Sequence, residues 1–87
     1  MGKHEKLLLQ VLRGTSDANI PFDGLRALLH WLAFDERIRG GHHIFTREDV
    51  AEILNLQPKG AQAKAYQVKQ VRQVILKYKL AGEPNET

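Results

Sequence analysis

Two adjacent histidines, His42 and His43, follow the glycine pair Gly40 and Gly41 and precede Ile44 and Phe45. Here residue types and spacing offer chemistry. Two glycines let the backbone turn tightly and let a large ligand approach. Imidazole is the side chain best suited to general acid or base chemistry under physiological conditions, so His42 and His43 are the candidate catalytic residues. The remaining catalytic inventory is empty: no Ser-His-Asp arrangement, no Walker-type glycine loop and no helix with two histidines four apart. Neighbouring strand residues point to opposite faces, so His42 and His43 cannot both be buried, and one of them faces solvent. The same divergence argues against a metal held by both histidines with Glu48 or Asp49, because metal ligands must converge. No metal and no cofactor is expected.

The surrounding pattern shows which elements must position this segment. Leu7, Leu8, Val11 and Leu12 suit one face of a short helix over 4–12, with Gly14 where a helix commonly stops. Thr15, Ser16, Asp17 and Asn19 then gather turn formers ahead of Pro21, so a new element starts near Phe22. There Leu25, Leu28, Leu29 and Leu32 recur at the helical period, framed by Phe22 and Phe34, while His30 and Trp31 fall off the stripe. Two short strands around Gly40 and Gly41 fit the stretch from Asp35 to Thr46. The next segment is ambiguous. Thr46 and Asp49 resemble a helix N-cap arrangement and Val50, Ile53 and Leu54 have helical spacing, yet 53–57 alternates and ends in the loop signal Pro58, Lys59, Gly60. Val68, Val71, Ile75 and Tyr78 then predict an amphipathic helix with Lys69, Arg72, Lys77 and Lys79 on its other sides. Gly82 and Pro84 end it, and a flexible tail is expected over 82–87.

A chain of 87 residues supports one domain with one modest core. Its 13 Lys and Arg against 10 Asp and Glu give only +3, but the distribution is uneven. Between Glu52 and Glu83 there is no acid, while Lys59, Lys64, Lys69, Arg72, Lys77 and Lys79 are all basic. That run is either a solvated helix face or the footprint of a polyanion such as a nucleic acid. Cysteine is absent, which excludes disulfides and thiolate metal sites and fits a reducing compartment. The apolar run Leu7, Leu8, Leu9 is too short for a signal-peptide core or a membrane span, so no membrane contact and a cytoplasmic location are expected.

The order helix, strand, Gly-Gly-His-His-Ile-Phe, further short segment and terminal basic helix resembles the HicA family of bacterial toxins, over roughly residues 20 to 80. The resemblance implies an α+β fold of order α-β-β-β-α, similar to a double-stranded RNA-binding domain, with a three-stranded antiparallel sheet packed against helices. It resolves the ambiguous stretch as a hairpin connection over 46–51 and a third strand over 52–57. The domain then occupies 21–81, preceded by an N-terminal extension over 1–20. Family members usually carry Gly-Ser-His or Gly-Gly-His, which places the working histidine at His42; a minority pattern places it at His43. Many relatives also carry Pro-x-His after the third strand, where this chain has Pro58, Lys59 and Gly60 and no second histidine. The implied function is a toxin that cleaves mRNA without metal and is blocked by a HicB-type antitoxin covering the histidine. Arg39 and Arg47 are then candidates to hold the scissile phosphate, and Lys64, Lys69 and Arg72 to grip the RNA backbone. Two other readings are a non-catalytic RNA-binding module of the same fold and a helix-turn-helix DNA-binding protein, the latter drawing on the helical reading of 46–54.

Overall fold

The computed structural model describes residues 2–82. Helix α1 (Lys3–Arg13) forms where Leu7, Leu8, Val11 and Leu12 share a face, and Gly14 closes it in the left-handed region at φ 71°. A short 3-10 turn (Asp17–Asn19) leads to α2 (Phe22–Trp31), which buries Phe22, Leu25, Leu28 and Leu29. The apolar pattern of this helix runs on to Phe34, but the helix stops earlier. Ala33 turns to φ 71°, and the Phe34 amide donates back to the Leu29 carbonyl (3.0 Å), which folds Phe34 into the core.

Strands β1 (Asp35–Arg39), β2 (His42–Arg47) and β3 (Val50–Leu56) form an antiparallel sheet in that order. The fold is thus α+β with a three-stranded antiparallel sheet. The connection between β2 and β3 is only Glu48 and Asp49, shorter than the expected 46–51, and β3 begins at Val50 rather than at 52. The helical reading of 46–54 fails for a physical reason. Val50, Leu54 and Leu56 are buried while Ala51, Ile53 and Asn55 point outward, a period of two in which Ile53 is 67% exposed. The helix that a helix-turn-helix reading draws from this segment is therefore absent.

The loop expected after β3 is a small hairpin of β4 (Pro58–Lys59) and β5 (Gln62–Ala63), turning at Gly60 with φ 62°. It is clamped to the start of α2: the Phe22 amide donates to the Ala61 carbonyl (3.0 Å) and the Ala63 amide to the Ile20 carbonyl (2.8 Å). Helix α3 (Ala65–Lys77) completes the chain and buries Val68, Val71, Val74 and Ile75. Residues 83–87 of the expected tail lie outside the described residues. Among the described residues no helix is long and apolar enough to cross a membrane.

One face of the sheet, through Phe45, Leu54 and Leu56, closes on the helices; the other carries exposed Arg37, Thr46, Ile53 and Asn55. Leu8 and Val11 of α1 belong to the same core, so the described part of the expected N-terminal extension is packed against the rest of the domain. Arg72 of α3 fastens this arrangement. Its Nη1 donates to the Val11 carbonyl (3.1 Å) and to both carboxylate oxygens of Asp17 (2.9 and 3.1 Å). The outer edge of β3 is occupied by α3: the Tyr78 hydroxyl accepts from the Ala51 amide (3.2 Å), and the Gln67 side chain accepts from the Gln57 amide (3.0 Å) and donates to the Asn55 carbonyl (3.1 Å). An edge covered in this way offers little to an added strand.

Replacing Arg72 with Met leaves the partly buried Asp17 carboxylate without its donor and the Val11 carbonyl with the Gly14 amide alone. The expected loss is about 1–3 kcal/mol of stability, read as a lower midpoint of urea unfolding with an unchanged slope.

Candidate active site

The sheet register builds the site. The β1–β2 hairpin pairs Arg39 with His42, Ile38 with His43 and Glu36 with Phe45, so Glu36 and His43 share the face that closes on the helices. Gly40, at φ 58°, supplies the left-handed turn that sets this register. Gly41 lacks that constraint: a Cβ there would meet only Gln57 Nε2, at an ordinary 3.7 Å.

Glu36 is the hub. Its carboxylate, only 6% exposed, receives two donors on each oxygen. Oε2 accepts from Arg26 Nε (2.8 Å) and His43 Nδ1 (2.7 Å); Oε1 accepts from Arg26 Nη2 (3.1 Å) and His30 Nε2 (2.7 Å). Arg26 and His30 lie four apart on α2, one turn of one helix face. Burial pushes the Glu36 carboxyl upward, but the hydrogen bonds from Arg26, His30 and His43 outweigh it and hold the group at about 2. Glu36 is therefore ionised at neutral pH and only accepts. His43 must carry its proton on Nδ1, which leaves Nε2 of the neutral ring as a lone-pair acceptor.

The His43 side chain is 15% exposed and meets the Phe22 ring edge-on, at 4.9 Å between centroids. It lines a cleft of about 250 Å³ together with Phe22, Asp23 and Arg26 of α2 and Pro58, Gly60 and Ala61 of the small hairpin. The cleft thus joins an imidazole oriented by a carboxylate, a guanidinium and the first turn of a helix. Chemically this set suits proton abstraction beside an anionic group whose charge grows during reaction.

His42 faces the other way. Its Nδ1 lies 3.0 Å from Asn55 Oδ1 and its Nε2 lies 3.4 Å from Gln57 Nε2, while Lys64 Nζ donates to Gln57 Oε1 (3.4 Å). The two histidines therefore serve two different clefts, as their adjacency on a strand requires. Arg39 pairs across from His42 and is exposed. Arg47 is not brought to either histidine. It stands at the far end of β2, where Nη1 donates to the Leu32 carbonyl (3.0 Å) at the end of α2 and Nε contacts Asp49 (2.8 Å). Arg72 is equally committed, to Asp17 and α1, and only Lys64 and Lys69 of the three expected helix contacts leave their charge near the open surface. Among the described residues no three His, Asp or Glu side chains form a group suited to a metal ion.

Glu36, Arg26 and His30 escape a reading of the sequence by motif. A signal did exist. A hairpin turning at Gly40 and Gly41 pairs residues whose numbers sum to a constant, which places 36 opposite 45 and on the face of 43. Asn55 and Gln57 carry no comparable mark, since their approach to His42 depends on the β2–β3 register.

Because the folded-state value for Glu36 lies below the ordinary 4.5, its ion pairs contribute fully above that value and are lost as pH falls from about 4.5 to about 2. Urea unfolding across this range should show stability falling with pH in the native chain and falling less steeply in Glu36→Gln. Equal slopes would overturn the hub role of the carboxylate.

Comparison with known proteins returns no matching family model, no significantly similar curated protein and no significantly similar solved structure.

Proposed function

We propose that this chain is a metal-independent endoribonuclease of the HicA type, the toxin of a cytoplasmic toxin-antitoxin pair, with His43 as its general acid and base. The observation that carries this reading is the 2.7 Å contact of His43 Nδ1 with Glu36 in a cleft that also holds Arg26. A carboxylate on one ring nitrogen fixes the tautomer, turns the other nitrogen into a base and stabilises the imidazolium that forms. Arg26 lines the same cleft, with its donors shared between Glu36 and Asp23, and contributes positive charge near a phosphate rather than a free pair of donors.

The chemistry balances with one imidazole. His43 Nε2 takes the proton of a ribose 2′-hydroxyl as that oxygen bonds to phosphorus. The bond from phosphorus to the 5′-oxygen breaks, and the departing oxygen receives the proton from the imidazolium. The products are a 2′,3′-cyclic phosphate and a 5′-hydroxyl end. One feature of the fold supports the assignment: apart from the small β4–β5 hairpin inserted before α3, the segments α2, β1 to β3 and α3 run in an α-β-β-β-α order like that of double-stranded RNA-binding domains. The cleft at His43 is also lined by Pro58 and Gly60, where the resembling family carries Pro-x-His; this chain has no second imidazole there, so the proposed chemistry rests on His43 alone. A HicB-type antitoxin would act by covering this cleft. His42, held by Asn55 and Gln57, contributes to RNA binding rather than to the chemical step.

The test is cleavage of a structured mRNA in EDTA by the native chain, His43→Ala, Glu36→Gln and His42→Ala. His43→Ala should lose about 10²–10⁴-fold in kcat while still binding RNA. Glu36→Gln should lower kcat by a smaller factor, and His42→Ala should act chiefly on KM. Cleavage by His43→Ala at the native rate would overturn the assignment. Binding without cleavage by the native chain would replace it with a non-catalytic RNA-binding module.

A further inference from the structure

On the open side of the sheet lies a second built site that the His43 chemistry does not use. We propose that the groove between β3 and the first turns of α3 takes one unpaired RNA base, stacking it on Tyr66 and reading a carbonyl on its edge with the Asn55 amide. The inference rests on the RNA reading above and names the base subsite of that substrate.

The groove, about 340 Å³, is lined by His42, Ile53, Asn55, Tyr66 and Gln70 with Gln57 beside them. Ile53 and Tyr66 are 67% and 59% exposed, so neither is kept for the core. An aromatic ring, an exposed aliphatic side chain and several amides form the set that proteins use to stack a splayed base and bond its edge. No acid lines the groove, and Lys64 reaches it through Gln57.

The polar groups have a fixed direction. Lys64 donates to Gln57 Oε1, Gln57 Nε2 donates to His42 Nε2, and His42 Nδ1 donates to Asn55 Oδ1. The chain of donors ends on Asn55 Oδ1 and leaves Asn55 Nδ2 as the amide group available to a ligand. A donor at that point suits an exocyclic carbonyl, which uracil, guanine and cytosine carry and adenine lacks, adenine offering only ring nitrogens as acceptors. Beneath the groove Gln67, the buried polar side chain of the core, holds the backbone of both Asn55 and Gln57 (3.1 and 3.0 Å). These bonds make the groove rigid before any ligand arrives, which reduces the entropy cost of binding.

The position also fits: His42 adjoins His43 and Gln57 adjoins Pro58, so the two depressions lie on opposite faces of the same end of the sheet. An RNA strand whose phosphate lies by His43 would bring a nearby base to the groove by passing around that end of the sheet. His42 then acts as a positioning residue that keeps the Asn55 amide oriented.

The experiment uses His43→Ala, to prevent cleavage, as the background for fluorescence anisotropy with short labelled oligouridylate and oligoadenylate. The background protein should favour oligouridylate about five-fold or more. Adding Tyr66→Ala should weaken binding of both oligonucleotides about ten-fold, with Tyr66→Phe restoring it and the melting temperature unchanged in both. Adding Asn55→Ala should bring the uracil preference close to one. If Tyr66→Ala binds as the background does, or if Asn55→Ala leaves the preference intact, the base site is overturned and the groove is left to a protein partner, while the nuclease reading stands. If the native chain neither binds nor cleaves RNA, both are overturned.

Discussion

Glu36 brings a full negative charge under the helix layer, and that charge is tolerated because Arg26, His30 and His43 place four donors on its two oxygens. Burying an ion is costly unless it is paired and hydrogen-bonded on every side. The arrangement therefore constrains three elements at once. α2 must present Arg26 and His30 on one face, β1 must turn Glu36 inward, and β2 must arrive in the register that brings His43 beside it. A slip of one residue in the hairpin would send His43 to the open face and leave the carboxylate short of a donor. The site and the fold are thus secured by the same bonds.

Around that hub the same economy recurs. Gln67 fills the outer edge of β3, Tyr78 takes its far end, and Arg72 ties α3 to both α1 and Asp17. Tyr78 also donates to Glu52 (2.6 Å), where it and Lys77 hold that carboxyl at about 2. Polar side chains here close edges and helix ends that the small core cannot cover. Among the described residues no buried side-chain donor or acceptor is left without a partner.

Electrostatic reading of the sequence was correct about where positive charge lies and incomplete about its use. Of the six basic residues between Glu52 and Glu83, Arg72 and Lys77 are drawn into ion pairs with Asp17 and Glu52, which come from other parts of the chain. An acid-free stretch in sequence is not acid-free in space. Lys59 and Lys69 remain as exposed charges, and Lys64 turns toward the His42 groove.

What the residues by themselves determined were the features set by local chemistry. Helical periodicity marked α1, α2 and α3, the glycines marked the turn before the histidines, and strand alternation dictated that His42 and His43 part company. Periodicity over seven residues did not separate a helix from a strand at Val50, Ile53 and Leu54, because both patterns share positions and only the burial of Leu54 and Leu56 beside an exposed Ile53 distinguishes them. The tertiary structure alone decided which histidine meets a carboxylate, which arginines are consumed in packing, and that Asn55 and Gln57 reach His42. Each of these depends on contacts between segments far apart in the chain, and such contacts are fixed by register and packing rather than by the local preferences of any one segment.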